Sequence, residues 1–104
     1  MIGAYESGQH SMESKDYRAA LAYFDLAAAG SANPSFAHYQ RARAYAMLGN
    51  RKGTLAELRL ALAGGFHNES ALSAGEFKSF QGLADFQALA AEWKAAGEKE
   101  QVKP

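Results

Sequence analysis

The chain contains no cysteine among its 104 residues. Disulfides, thiolate metal sites and a cysteine nucleophile are therefore excluded. Proline occurs only twice and β-branched residues are few, so the composition favours helices over strands and predicts an all-α fold. Hydrophobic residues make up 48% of the chain, which is enough to bury a core of modest size.

Net charge and long apolar runs are also missing. The 11 basic and 11 acidic residues cancel, whereas a nucleic-acid-binding protein normally carries a basic surplus. No run approaches the roughly 18 apolar residues that span a bilayer, so we expect neither nucleic acid nor membrane as a partner. Residues 1–14 lack a basic segment followed by an apolar one, which predicts a cytoplasmic protein. A processed or truncated periplasmic protein is the alternative.

What the chain does have is an internal repeat with a period of 34 residues. The matching pairs are Tyr5 and Tyr39, Leu21 and Leu55, Ala22 and Ala56, Leu26 and Leu60, Ala27 and Ala61, Ala29 and Ala63, and Gly30 and Gly64. This period is typical of helix–turn–helix repeats, which bury their apolar faces only by stacking on one another. The sequence therefore predicts stacked helix pairs.

Apolar residues at helical spacing predict five α-helices, and the short connections make consecutive helices antiparallel neighbours. Their predicted ranges are Gly3–Ser14, Asp16–Ala29, Pro34–Leu48, Lys52–Ala63 and Leu83–Ala96. Residues 70–80 fit one short helix or two. Gly30 follows the second helix, where we expect a left-handed cap that only glycine adopts easily.

The predicted organisation is one domain over residues 1–97, with repeats at about 3–33 and 34–67. A degenerate cap at 68–97 is expected because an end repeat must cover the core. It matches the second repeat at three further pairs: Leu55 and Leu89, Ala56 and Ala90, and Ala61 and Ala95. Residues 98–104 are charged and are predicted to be a flexible tail.

The repeated positions resemble the tetratricopeptide repeat family. The residues that carry the resemblance are Gly8, Asp16, Tyr17, Ala20, Phe24 and Ala27 in the first repeat, and Tyr39, Ala42, Tyr45, Gly49, Leu58, Ala61 and Leu62 in the second. The segment 63–67, then Phe77 and residues 85–89, is similar to the C-terminal end of bacterial proteins of this kind. The resemblance covers residues 3–96 and implies a short right-handed superhelix. Arg41 stands where leucine is usual, and we expect its guanidinium to reach solvent.

In this family, the first helix of each repeat lines a concave groove that holds a peptide. The resemblance therefore implies a protein or peptide partner that contacts Tyr5, Gln9, Met12, Tyr39, Arg43 and Met47. Simple packing against neighbouring helices is the alternative interpretation for Tyr5 and Tyr39. Because the face combines aromatic surface with one arginine, we expect it to favour a segment with apolar side chains and an acidic group.

No pattern of catalytic, cofactor-binding or metal-ligating residues is visible in the sequence. His10, His38 and His67 lie far apart, so a packed or hydrogen-bonded His38 is expected rather than a metal ligand. We therefore predict a non-catalytic adaptor without a cofactor. The alternative is a self-associating structural or regulatory domain that works with a separate catalytic partner. Two repeats are fewer than the roughly three that such arrays need, and a homodimer that extends the stack would supply the rest.

Overall fold

The computed structural model describes residues 3–101, which form α-helices and 3-10 helices without any strand. The α-helices are α1 (Ala4–Glu13), α2 (Tyr17–Ala29), α3 (Ser35–Met47), α4 (Arg51–Ala63) and α5 (Ala84–Gln101), and the 3-10 helices are Glu69–Ser73 and Gly75–Phe80. The prediction of an all-α fold is confirmed. Within this described range, no helix is both long enough and apolar enough to cross a bilayer.

The chain divides into two compact units. The N-terminal unit contains α1 to α4 and ends at Phe66, and the C-terminal unit begins at His67 and contains the 3-10 helices and α5. This boundary falls next to residue 68, where the sequence predicts that the degenerate cap begins.

Consecutive helices pack against each other in the N-terminal unit. A Cβ atom at Gly64, at the end of α4, would lie 2.7 Å from the Cβ of Ser35 at the start of α3. A Cβ atom at Gly53, near the start of α4, would lie 2.9 Å from the ring of Tyr45 near the end of α3. The two helices therefore run antiparallel, as the sequence predicts.

The turn within each helix pair has the same design in both repeats. Asp16 precedes α2 and Asn50 precedes α4, and each side-chain Oδ1 accepts the N–H of the third helical residue, at 3.2 Å and 2.8 Å. Each bond satisfies one of the N–H groups that a helix start leaves unpaired. The residues just before these caps, Lys15 and Gly49, both have positive φ angles, 62° and 73°. The repeat is therefore visible in the backbone as well as in the sequence.

The helix ends differ from the prediction. Gly30 and Gly64 follow α2 and α4 with φ angles of −91° and −83°, so the left-handed cap expected at Gly30 is wrong. The N–H of Gly30 donates to the carbonyl of Leu26 at 3.2 Å, which is the hydrogen bond of a regular α-helix. The chain therefore leaves α2 without a left-handed residue at Gly30. Gly65, two residues after the end of α4, has a positive φ, 96°.

Burial in the N-terminal unit follows the 34-residue period. Fully buried positions recur as Ala20 with Thr54 and Phe24 with Leu58. The ring of Phe24 lies so close to α1 that a Cβ atom at Gly8 would come within 2.5 Å of it. The equivalent of Gly8 in the second repeat is Ala42, which is also fully buried. Gly8 and Phe24 of the first repeat therefore correspond to the buried pair of positions Ala42 and Leu58 in the second.

Aromatic side chains form the core of the C-terminal unit. The rings of Phe77, Phe80 and Phe86 contact one another with centroids 5.8–6.3 Å apart. The indole N–H of Trp93 donates to the backbone carbonyl of Asn68 at 2.8 Å. These contacts tie both 3-10 helices and the segment before them to α5.

The sequence matches between the second repeat and the cap do not correspond to shared burial. Ala61 is fully buried, whereas Ala95 is exposed; Leu55 is half-buried, whereas Leu89 is fully buried. The offset of 34 residues therefore does not place α5 in the register of α4. Helix α5 also continues past the predicted end at Ala96 to Gln101, and residues 102–104 of the predicted tail lie outside the described residues.

Candidate partner-binding face

The six residues predicted to contact a partner lie on α1 and α3 but differ in burial. Tyr5, Gln9, Met12 and Arg43 are half-buried, Met47 is 44% exposed, and Tyr39 is only 6% exposed. Their spacing places Tyr5, Gln9 and Met12 on one side of α1. The structure therefore offers parts of five of these side chains to a partner and very little of Tyr39.

Tyr39 packs inside an aromatic cluster. Its ring lies 4.9 Å from the ring of Phe66 and stacks on Phe36 at 6.3 Å. The ring of Tyr5 lies 5.5 Å from Phe36 and 5.8 Å from Phe24. For Tyr39, this geometry agrees with the alternative interpretation, in which the residue packs against its neighbours. The exposed member of the cluster is Phe36, at 44%.

A buried glutamine connects two of the predicted contact residues. The side-chain amide of Gln40 donates to the hydroxyl of Tyr5 at 3.4 Å, and its carbonyl accepts from Nη1 of Arg43 at 2.7 Å. Gln40 itself is buried. Since a buried amide is well positioned only when both of its ends are paired, Gln40 fixes the phenol of Tyr5 and one arm of the Arg43 guanidinium relative to each other.

The expectation that Arg41 extends into solvent is wrong. Its guanidinium donates to Oε1 of Glu57 at 2.5 Å, to the backbone carbonyl of Leu21 at 2.7 Å and to the hydroxyl of Tyr45 at 3.3 Å. The other carboxylate oxygen of Glu57 lies 2.7 Å from Nδ1 of His38, which confirms the prediction of a hydrogen-bonded His38. An arginine is accommodated at this position because its charge is paired inside the helix array.

This charged group holds three helices together. Arg41 and His38 come from α3, Glu57 from α4, and the carbonyl of Leu21 from α2. Both oxygens of the Glu57 carboxylate are engaged in these contacts. The sequence carries no signal for it, because Arg41 and Glu57 are 16 residues apart.

The C-terminal unit contains a cleft of about 510 Å³ that the sequence did not suggest. Residues lining it include His67, Trp93, Lys94 and Glu100. Nε2 of His67 is hydrogen-bonded to Oε2 of Glu100, and both residues line the cleft. Across residues 3–101, no three histidine, aspartate or glutamate side chains are grouped so as to hold a metal ion.

Comparisons of this chain with protein-family models, with curated proteins and with solved structures find no match. The resemblance to tetratricopeptide repeats therefore rests on the residues that the two repeats share and on the repeated helix pairs. Membership of that family and the right-handed superhelix stay predictions.

Proposed function

We propose that the protein is a non-catalytic adaptor of the tetratricopeptide repeat type, which binds a protein or peptide on the surface that α1 and α3 share. The observation that supports this function is the side-chain bridge from Tyr5 through Gln40 to Arg43, next to the exposed ring of Phe36. A fixed cation beside an exposed aromatic ring is a suitable anchor for a partner, because arginine and aromatic residues dominate many interfaces.

The spacing of the surface residues along α3 predicts the length of the partner segment. Phe36, Gln40, Arg43 and Met47 lie at i, i+4, i+7 and i+11, which places them on one side of the helix. At 1.5 Å per residue, Phe36 and Met47 are about 16 Å apart along the axis, with Arg43 about 6 Å from Met47. The expected partner segment has two apolar side chains about 16 Å apart and a carboxylate between them, nearer to the one that contacts Met47.

Selection of twelve-residue peptides from a random display library against the full-length chain tests this proposal. We expect enriched sequences to combine an acidic residue with apolar residues on both sides. The substitutions Phe36→Ala and Arg43→Ala should each weaken the best peptide by about 1 kcal/mol or more, measured by fluorescence anisotropy. Circular dichroism should remain helical, because Phe36 is exposed and Arg43 is only half-buried.

Arg59→Ala is the matched control, because Arg59 is an exposed arginine on α4. It should leave peptide affinity unchanged. Peptides that bind the Phe36 and Arg43 variants as tightly as the original chain would show that α1 and α3 do not form the site. Tyr39→Ala is unsuitable for this test, because the residue is buried and its loss would lower stability directly.

A further inference from the structure

The outer sides of α2 and α4 carry the same exposed pattern, and nothing in the proposed function uses it. The equivalent pairs, each 34 residues apart, are Arg18 and Lys52, Ala22 and Ala56, Asp25 and Arg59, Leu26 and Leu60, and Ala29 and Ala63. All ten residues are exposed. Their spacing of i, i+4, i+7, i+8 and i+11 makes one continuous line on each helix. We call these two lines the outer stripes.

The outer stripes lie on the sides of α2 and α4 away from the fully buried residues Phe24 and Leu58. The buried side of α2 includes Phe24, which contacts α1 at Gly8. The buried side of α4 includes Leu58, the equivalent of Phe24. Asp25 lies at the edge of its stripe, because its Oδ1 is 3.8 Å from Nη1 of Arg41 on α3, but Arg41 is not part of the proposed binding surface. A partner on the stripes would therefore leave the surface of α1 and α3 open.

Each stripe combines a large apolar side chain with small ones. Leu26 is 62% exposed and Leu60 is 50% exposed. A single exposed leucine is ordinary on a protein surface, but here the same leucine recurs at equivalent positions of two helices. Alanines one turn before each leucine, Ala22 and Ala56, allow another helix to approach closely.

The stripes differ at one charged position, and the difference identifies the occupant. Asp25 on α2 corresponds to Arg59 on α4. Two α2 stripes would place aspartate near aspartate, and two α4 stripes would place arginine near arginine, so identical stripes would repel each other at this position. An α2 stripe and an α4 stripe would attract each other, because aspartate then lies near arginine. We infer that a second copy of this chain docks here as a two-fold dimer, with α2 of each copy packed antiparallel against α4 of the other. Such an interface is self-complementary, because the two-fold axis generates both contacts at once.

The antiparallel register follows from the leucines and alanines. If Leu26 lies opposite the partner's Ala56, then Ala22 lies opposite the partner's Leu60, so each large side chain meets a small one. Asp25 and the partner's Arg59 are then offset by two residues, about 3 Å along the axis, which the arginine side chain easily spans. Arg18 lies beside the C-terminal end of the partner's α4, where the helix dipole favours a positive charge.

A dimer of this kind goes beyond the proposed adaptor function. It presents two copies of the α1 and α3 surface on one particle. A partner that carries two suitable segments would then bind more tightly than one segment alone, because the second contact becomes intramolecular. The two-fold dimer also differs from a dimer that extends the stack of repeats, since its contacts lie on the sides of α2 and α4 and not at an open end.

Sedimentation equilibrium of the full-length chain tests the inference. We expect the mass to approach that of a dimer as concentration rises. The combined substitution Leu26→Glu and Leu60→Glu should raise the dimer dissociation constant at least a hundredfold without loss of helical circular dichroism. Met47→Glu is the control, because it places the same charge on an exposed position of α3 and should leave the mass unchanged. A chain that stays monomeric, grows beyond a dimer, or dimerises despite the leucine changes overturns the inference.

Charge reversal tests the pairing itself. Asp25→Arg places two arginines at each contact, and Arg59→Asp places two aspartates there, so each variant alone should be mainly monomeric. An equimolar mixture should form a heterodimer, because both contacts then join an arginine to an aspartate. Thermal melting of each variant checks that the monomer is intact, since Asp25 also lies 3.8 Å from Arg41 in its own chain. A mixture no heavier than its components contradicts the proposed pairing of α2 with α4.

Discussion

The two helix pairs of the N-terminal unit share one backbone design but fill it with different side chains. Both begin their second helix with a capping Asp or Asn and precede that cap with a residue of positive φ. Where α1 and α2 place Gly8 against Phe24, the second pair has Ala42 and Leu58 at the equivalent positions. The comparison shows that the repeat preserves caps and turns, while the sizes of individual core residues differ between equivalent positions.

The second difference concerns buried charge. Glu57 on α4 is paired with Arg41 on α3, whereas their equivalents in the first repeat are Tyr23, which is 39% exposed, and Ser7. The reason lies in position, since α3 packs against both α2 and α4. A long polar side chain on α3 has two helices from which to take partners, and Arg41 uses both.

The largest effect should come from Glu57→Ala. This change removes the closest carboxylate from a largely buried guanidinium, and breaking such a pair costs about 3–5 kcal/mol. The equivalent change in the first repeat, Tyr23→Ala, alters a partly exposed side chain and should cost about 1 kcal/mol or less. Urea unfolding followed by circular dichroism measures the free energy of unfolding for both.

Removing both members of the pair, as Arg41→Met with Glu57→Met, should recover part of that loss, because no unpaired charge then remains inside. If Glu57→Ala and Tyr23→Ala lowered the free energy of unfolding equally, the ion pair would not make the second repeat more sensitive than the first.

An intermediate effect is expected at the contact between α1 and α2. Gly8→Ala should lower the free energy of unfolding by about 1–2 kcal/mol, since overpacking against Phe24 outweighs the roughly 1 kcal/mol of helix propensity that alanine adds. Adding Phe24→Leu copies the alanine and leucine of the second repeat. In a double-mutant cycle, the two changes should therefore compensate each other by at least about 1 kcal/mol. Additive effects would show that the sizes of the side chains at positions 8 and 24 do not compensate each other.

The smallest effect should come from the turn before the second helix of each pair. Lys15 has a φ of 62°. This backbone conformation costs a residue with a Cβ atom about 1–2 kcal/mol. Glycine avoids that strain, but its greater flexibility in the unfolded chain offsets part of the gain. Lys15→Gly should therefore raise the free energy of unfolding by about 0.5–1 kcal/mol. Gly49→Lys should lower it by a similar amount, and no atom lies within 4 Å of the added Cβ to confuse the result. If thermal melting showed that both variants are stabilised, or that both are destabilised, the two turns would not be equivalent.

Much of the helical architecture was predictable because its signals are local. The starts of α2 and α4 follow from Asp16 and Asn50, and the ends of α3 and α4 fall within two residues of their glycines. The end of α5 was missed because Gly97 does not stop a helix by itself: glycine costs only about 1 kcal/mol in a helix interior. The segment 69–80 adopts two 3-10 helices, a choice that the sequence left open.

The candidate site was only partly predictable. The sequence placed Tyr5 and Arg43 on the same surface, but it did not show that Gln40 joins them, that Tyr39 lies beneath Phe36, or that Arg41 is paired internally. Each of these facts depends on contacts between residues 16 to 35 positions apart, or on how deeply a neighbouring helix covers a side chain. Where helices begin, turn and repeat follows from the order of the residues, since capping and periodicity act within a few residues. Which aromatic and charged side chains are covered follows from the packing, because burial is a property of the packed helices together.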